Sequence, residues 1–284
     1  MKGYTRFLIV PNEGRDVDFT ITRGIIASIL AHGATPILED CENALALEIG
    51  IATISTCGVS PECLIVIGGD GTVIDAVMTA LKWDIPLIGV NRGHLGFLAE
   101  ADACDLSWID RLCVGEFEMR ERMLLSLNGH DDLGRAALNE VCLSAGAGDG
   151  IADMLLTDNT GNEIKYRGDG LIVATPSGST AYSFAAGGPV IDSSIDAICV
   201  TPLCPHSFFN RSMILGADTV ITVRNTSHRR ELLVKMDGRT VMTLKMEEEI
   251  QVMMASRKLK MITFGHIPTF TTFRRKLELV ELKY

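Results

Sequence analysis

Five consecutive apolar residues, Cys63-Leu64-Ile65-Val66-Ile67, run directly into Gly68-Gly69-Asp70-Gly71-Thr72. An apolar run without polar alternation reads as a strand buried on both faces, the condition of a parallel strand covered by helices. The chain then turns helical: Thr72 to Leu81 sets Val73, Val77 and Leu81 on one side. Neighbouring segments repeat this strand–turn–helix order. Phe7-Leu8-Ile9-Val10 is a short strand stopped by Pro11, and Asp18 to Leu30 places Ile21, Ile25, Ile26 and Ile29 at helical spacing before Gly33. Thr35 to Leu38 is a second strand, Asn43 to Ile49 a short helix ended by Gly50, and Ile85 to Val90 a further strand. Strands alternating with helices imply parallel pairing in a doubly wound α/β sheet.

Beyond residue 105 the texture changes to short alternating runs with turns between them. They include Asp153–Leu156, Gly170–Ala174, Asp218–Val223 and Leu232–Met236, and one helical segment, Thr180 to Ala186, interrupts them. This pattern predicts an antiparallel β-sandwich. A length of 284 residues suits two domains. The expected division is an N-terminal α/β domain at 1–104 and a C-terminal β-rich domain at 105–266, with 267–284 returning to the first.

Charge narrows the function. The chain has 26 Lys+Arg against 36 Asp+Glu, a net charge of −10. That argues against a dedicated nucleic-acid binder, whose affinity rests on neutralising phosphates, and against a polybasic membrane-surface protein. Small anionic ligands stay open, because they need only a local site. Residues 1–100 carry net −6, 101–220 net −10 and 221–284 net +6. The eight cysteines form no C-x-x-C pair, so zinc-ribbon and thioredoxin-type sites have little support. Only four apolar residues, Phe7 to Val10, follow the Met1–Arg6 start, and no run approaches the length of a membrane span. We expect a reduced, soluble, cytoplasmic protein.

Four motifs carry chemistry. In Gly68–Thr72 the glycines admit close approach of a ligand, and backbone N–H groups at the helix start attract phosphate. Asp70 stands at the carboxyl end of a strand, where open α/β sheets place ligands, and could take a proton from a hydroxyl or help hold a metal. The alternative is a tight turn with Asp70 or Thr72 capping the helix. Gly89 to Leu98 reads as a glycine-rich loop containing His94, a residue type that is more often structural. Asn139-Glu140 offers an adjacent amide and carboxylate for a ribose or an adenine edge, or else a strand-end turn. The block Tyr166-Arg167-Gly168-Asp169-Gly170 continues through Thr175 to Ser183 and gathers hydroxyl and N–H donors around one carboxylate, with Tyr182 offering an aromatic face.

Gly-Gly-Asp-Gly-Thr after an apolar strand resembles the superfamily of NAD kinases, 6-phosphofructokinases and diacylglycerol and sphingosine kinases. The Gly89–Leu98 segment, Asn139-Glu140, the 166–183 block, Gly187-Gly188-Pro189 and Thr201–Ser207 resemble NAD kinases specifically. The resemblance implies a Rossmann-like α/β domain followed by a β-sandwich domain. The implied activity is transfer of the γ-phosphate of ATP to the 2′-hydroxyl of the adenosine ribose of NAD, giving NADP. By that resemblance Asp70 is the general base, and Gly68, Gly69, Gly71 and Thr72 lie along the phosphates of ATP. Asp70, Gly71, Asn139, Glu140, Arg167, Asp169, Thr180, Ala181, Tyr182, Ser183 and Ala185 hold NAD, with Asp169 at the nicotinamide end or at a neighbouring subunit's ligand. Cys204 reads as a packed thiol near a proline turn. Mg²⁺, or another divalent cation, arrives with ATP rather than on dedicated protein ligands. Family members are dimers or tetramers, which implies a homodimer or homotetramer here.

Two segments depart from the family pattern. Ser144 to Gly150 is small and uncharged up to Asp149, where relatives carry bulkier or basic residues. In Asp237-Gly238-Arg239 the arginine stands where relatives have Gln or His; it either approaches a phosphate of NAD or is a solvated hairpin arginine. The competing readings are a kinase for a lipid or sugar hydroxyl, and a nucleotide sensor without turnover. Retention of Asp70 argues against the sensor.

Overall fold

A computed structural model describes residues 2–91, 96–129, 135–145, 150–206, 208, 210–265, 270–274 and 278, with positions 43 and 44 described by backbone only. The chain divides into two compact units, Met1–Glu121 with Leu259–Tyr284, and Arg122–Lys258.

The first unit is built on a sheet of β1 (Arg6–Val10), β2 (Thr35–Leu38), β3 (Ala52–Thr53), β4 (Cys63–Ile67), β5 (Leu87–Asn91), β6 (Ala99–Asp102), β7 (Glu118–Arg122) and a late strand, Leu259–Thr263. The order runs β3-β2-β1-β4-β5, then the late strand, then β7, with β6 also on β5. β1 pairs in parallel with both β2 and β4, and β4 with β5. The chain therefore lays β2 and β3 to one side of β1 and crosses back to lay β4 and β5 on the other. That makes the β1/β4 boundary the topological switch point, where the loops after the two strands diverge and leave a crevice.

α1 (Thr20–Ala31), α2 (Asn43–Ile49), α3 (Asp70–Trp83) and α4 (Ser107–Val114) join these strands. The buried run 63–67 is solvent-free along its whole length because helices cover it: Cys63, Ile65 and Ile67 share a core with Ile25, Ile26 and Ile29 of α1 and Trp108, Ile109 and Leu112 of α4. α3 packs on β4 and β5. Its first residue is Asp70, two positions earlier than the apolar spacing predicts, so the carboxylate belongs to the helix's first turn. α1 begins later than expected, because Asp18 and Phe19 adopt left-handed backbone angles and the buried Asp16 accepts hydrogen bonds from the Ile21 and Thr22 N–H groups.

The second unit is the expected antiparallel sandwich. Its strands are β8 (Leu125–Leu127), β9 (Ala136–Ala137), β10 (Glu140–Ala145), β11 (Ala152–Thr157), β12 (Glu163–Gly168), β13 (Gly170–Ala174), β14 (Ala197–Leu203), β15 (Met213–Gly216), β16 (Ile221–Asn225), β17 (Leu232–Met236), β18 (Arg239–Leu244) and β19 (Glu249–Met254). The late strand of the first unit is then β20. One sheet runs β15-β14-β13-β10-β17-β18, the other β12-β11-β16-β19-β8-β9. One core cluster takes side chains from both, including Val141, Leu143, Val173 and Val234 from the first and Met154, Tyr166, Val223 and Val252 from the second. On β10, β13 and β14 the outer face is buried as well. There Cys142, Ile172, Ala174 and Cys199 pack with Ile191 and Ala186 from the segment that follows β13. That segment holds a 3₁₀ turn, Gly178–Thr180, and the short α5 (Tyr182–Ala185), where the sequence predicted one helix from 180 to 186.

The division at 121/122 differs from the expected 104/105. α4 and β7 build onto the first sheet, and the chain re-enters that unit at Leu259 through β20, which pairs with β5. The expected return at 267–284 falls mostly outside the described residues.

Candidate active site

Within the first unit, Asp70 is held by backbone donors. Its Oδ2 accepts the Phe97 N–H at 3.0 Å, and its Oδ1 accepts those of Leu98 at 3.0 Å and Ala99 at 3.4 Å. The approach is close enough that a Cβ on Gly96 would stand 2.1 Å from Oδ1, so only glycine fits there. Beside Asp70, a Cβ on Gly71 would meet nothing within 4 Å. No internal packing demands that glycine, which leaves open backbone at the helix start for a ligand. The Thr72 hydroxyl accepts the Asn12 amide at 2.7 Å, which ties the loop after β1 to the first turn of α3. Arg92 to Leu95, and with them His94, lie outside the described residues.

Within the second unit, Asn139 and Glu140 are both buried and clamped from two sides. Asp237, at the turn between β17 and β18, accepts the Leu138 N–H on Oδ2 at 2.8 Å. Its Oδ1 accepts those of Asn139 at 2.8 Å and Glu140 at 3.1 Å. Opposite, the Thr175 N–H donates to the Asn139 carbonyl at 2.8 Å and the Thr175 hydroxyl to the Leu138 carbonyl at 2.5 Å. A Cβ on Gly178 would sit 2.0 Å from the Asn139 carbonyl oxygen. The Glu140 Oε2 is buried without a hydrogen-bond partner. Burial first, then the Asp237 charge, pushes the Glu140 carboxyl up to about 7. Asp237 is itself pushed up by burial, against the opposing pull of its three N–H donors and of Arg239. An unpaired buried carboxyl oxygen is costly and marks a place where a ligand donor would be welcome.

The 166–185 block is only partly gathered at this point. Thr180 donates its hydroxyl to the Ser177 carbonyl, and Ala181 and Ala185 sit in the turn and in α5. Tyr182 stands 48% exposed, its ring face available. Ser183, expected to line the pocket, faces inward. Its hydroxyl is fully buried and hydrogen-bonds that of Thr201 at 2.9 Å, so it braces α5 on β14. Arg167 is directed elsewhere: it pairs with Asp153 of β11 at 3.6 Å and lines a cavity of about 690 Å³ with Lys165 and His228, which excludes the Asn139–Glu140 segment. Asp169 is exposed, its N–H on the Leu203 carbonyl at 3.0 Å, and its carboxylate lies beside the Cys204 thiol and pushes that thiol up. Cys204 is therefore an exposed thiol at φ +43°, not a packed one. Arg239 opens β18 exposed, with its charge felt at Asp237. Positions 146–149 of the small loop and Ser207 lie outside the described residues. Sequence reasoning missed Asn12, Gly96 and Asp237 as supports.

Among the described residues no group of three or more His, Cys, Asp or Glu side chains is placed to hold a metal ion, and no helix is long and apolar enough to cross a membrane.

The description "ATP-NAD kinase N-terminal domain" fits residues 25–112 and "ATP-NAD kinase C-terminal domain" fits residues 138–264. The chain is 32% identical to the NAD kinase of Natranaerobius thermophilus, over 95% of this chain and 96% of that one. It is 30% identical to that of Caldanaerobacter subterraneus subsp. tengcongensis, over 95% and 97%. Its fold matches yeast NADH kinase complexed with NADH at a TM-score of 0.81 and 20% identity, covering 98% of this chain and 89% of that one. It matches an NAD kinase from Archaeoglobus fulgidus in complex with ATP at 0.72 and 22%, covering 97% and 98%.

Proposed function

The chain belongs to the ATP-NAD kinase family of phosphotransferases, and we propose that Asp70 is the group that draws the proton from the 2′-hydroxyl of the adenosine ribose of NAD. The freed oxygen attacks the γ-phosphorus of ATP, the bond to the β-phosphate oxygen breaks, and NADP and ADP leave. One observation carries this reading: a carboxylate pinned by three N–H groups at the carboxyl end of β4, beside an open glycine backbone at a helix start. Gly68, Gly69, Gly71 and Thr72 border the donor phosphates.

Phosphoryl transfer is catalysed mainly by positioning and charge neutralisation. The divalent cation is proposed to enter as MgATP, in keeping with magnesium's preference for water and phosphate oxygens. Asn139, Glu140 and Tyr182 are the proposed NAD contacts of the second unit, supported by their clamping, by the unpaired Oε2 and by the exposed ring. A lipid or sugar acceptor is disfavoured, because the NAD kinase C-terminal domain description covers residues 138–264. The reading carries with it a cytoplasmic setting and a homodimer or homotetramer.

The test is an assay of the purified protein with NAD, ATP and Mg²⁺, with NADP measured enzymatically. Asp70→Asn is expected to abolish turnover while NAD binding persists. An absence of NADP from the wild-type protein refutes the activity, and full turnover by the variant removes Asp70 as the base.

A further inference from the structure

The crevice at the β1/β4 switch point is lined on one side by the loop after β1, on the other by α3, and also by Glu39, the residue after β2. It forms an open groove of about 450 Å³, within the range of small-ligand sites. Three pairs of residues succeed one another along α3. At the glycine loop the Arg15 guanidinium approaches Gly69, with Nη1 3.1 Å from where a Cβ would stand. One turn on, Asn12 holds Thr72. Two further turns on, Glu39 accepts the Thr79 hydroxyl at 3.2 Å. From Gly69 to Thr79 the helix rises about 15 Å, comparable to an extended nucleoside triphosphate.

Charge differs between this groove and the glycine loop beside it. Arg15 makes no ion pair among the described residues, so its positive charge stands over the glycine backbone uncompensated. The groove itself is acidic: Glu13, Glu39 and Asp75 line it, and the Glu42 carboxyl is pushed up by burial and then by Glu13 and Glu39. Phosphates are repelled from it, whereas hydroxyl donors are accepted. On Glu39, Oε1 already serves Thr79, and Oε2 has only a thiol at 3.8 Å. An acidic side chain after the second strand of a doubly wound sheet is well placed to take ribose hydroxyls.

We propose that the nucleoside of the phosphoryl donor occupies this groove with its ribose hydroxyls on Glu39, and that Arg15 holds the donor's phosphates against Gly69. Arg15 and Glu39 are thereby the determinants of donor affinity and of preference for a ribonucleotide. The proposal rests on the reading of the Gly68–Thr72 loop as the phosphoryl-transfer centre.

The test measures initial rates at saturating NAD with ATP and with 2′,3′-dideoxy-ATP as donors. In parallel, calorimetry follows binding of a non-hydrolysable ATP analogue, with and without the two ribose hydroxyls. A site built around a hydroxyl rejects the analogue lacking it, so the wild-type protein is expected to favour the ribose form by about tenfold or more. Glu39→Gln is expected to shrink that preference to about twofold or less, and Arg15→Met to weaken both forms by a similar factor of about ten or more, with the KM for NAD unmoved. Equal use of both donors by the wild-type protein overturns the ribose contact, as does a preference that survives in Glu39→Gln. An unchanged donor affinity in Arg15→Met overturns the phosphate contact. Calorimetry separates the two readings. A wild-type protein that shows the binding pattern but makes no NADP refutes the proposed activity and leaves the donor site. One that makes NADP with both variants unaffected does the reverse.

Discussion

Replacing Glu140 by glutamine should change how the stability of the second unit depends on pH. In the folded protein this carboxyl is only 7% exposed, has one oxygen without a partner, and lies near the Asp237 charge. Both influences disfavour its ionised form, and it titrates at about 7 rather than 4.5. Unfolding restores the lower value. Between the two values the folded state holds a proton that the unfolded state has released, so stability falls as pH rises. The stabilising difference is fully present below about 4.5 and is lost as pH climbs through about 7. At 1.36 kcal/mol per pH unit the whole displacement is worth roughly 3 kcal/mol, with a slope never steeper than about 1.4 kcal/mol per unit.

Glutamine has nearly the same shape and does not titrate. Glu140→Gln should therefore flatten the curve, and at pH 8 it should be more stable than the wild-type protein by about 1–3 kcal/mol. Asp237 is also displaced upward, so it adds a slope of the same sign in the wild-type protein, and loss of the Glu140 charge eases that too. Urea unfolding at half-unit pH steps from 5 to 8, without NAD, gives the difference curve. The signal should be far-ultraviolet circular dichroism, because both tryptophans, Trp83 and Trp108, belong to the first unit and report on it first. If the curves for the two proteins run parallel from pH 5 to 8, the argument from burial and neighbouring charge is wrong.

Two other substitutions test the supports around Asp70 and around Asn139-Glu140. Gly96→Ala puts a Cβ 2.1 Å from the Asp70 Oδ1 and must push the carboxylate off its N–H donors; kcat should fall about a hundredfold or more while circular dichroism stays unchanged. Asp237→Ala leaves the Leu138, Asn139 and Glu140 N–H groups without their acceptor. It should cost the second unit about 2–4 kcal/mol in urea unfolding and raise the KM for NAD about tenfold or more, with the KM for ATP unmoved.

What the sequence discloses is what its local pattern encodes. β4 and α3 are legible because an unbroken apolar run, a glycine turn and a helical stripe occur together. β11, β16 and β17 are legible because alternate residues face the sandwich core. β7 is not: Glu118-Met119-Arg120-Glu121-Arg122 carries four charges in five residues, because it ends the sheet and meets solvent along most of its length. The domain boundary moved with it. The same distinction governs the site. Asp70 and Asn139-Glu140 stand out as chemistry in a local frame, but the groups that aim them do not. Asn12 reaches Thr72 across 60 positions, the 97–99 backbone reaches Asp70 across 27 to 29, and Asp237 reaches Glu140 across 97. Periodicity carries no signal for such contacts, and sheet topology creates them.

That topology also reframes the charge. A net −10 looks adverse for a protein that must grip two polyphosphate ligands. Net charge sets long-range potential, whereas a ligand is held by what lies within a Debye length of about 8 Å, and mostly by what it touches. In the first unit the fold sorts that near field. Arg15 comes to the glycine loop from the end of β1, while Glu39, from the end of β2, joins Glu13 and Asp75 away from it. The acidic residues therefore work toward orientation: a nucleoside triphosphate entered backwards would set its phosphates among carboxylates, at a cost that the forward pose avoids. On the proposed donor pose, the negative total is part of how the donor is aligned toward Asp70, and neutralising Glu13 and Asp75 should relax that alignment even where it strengthens overall anion binding.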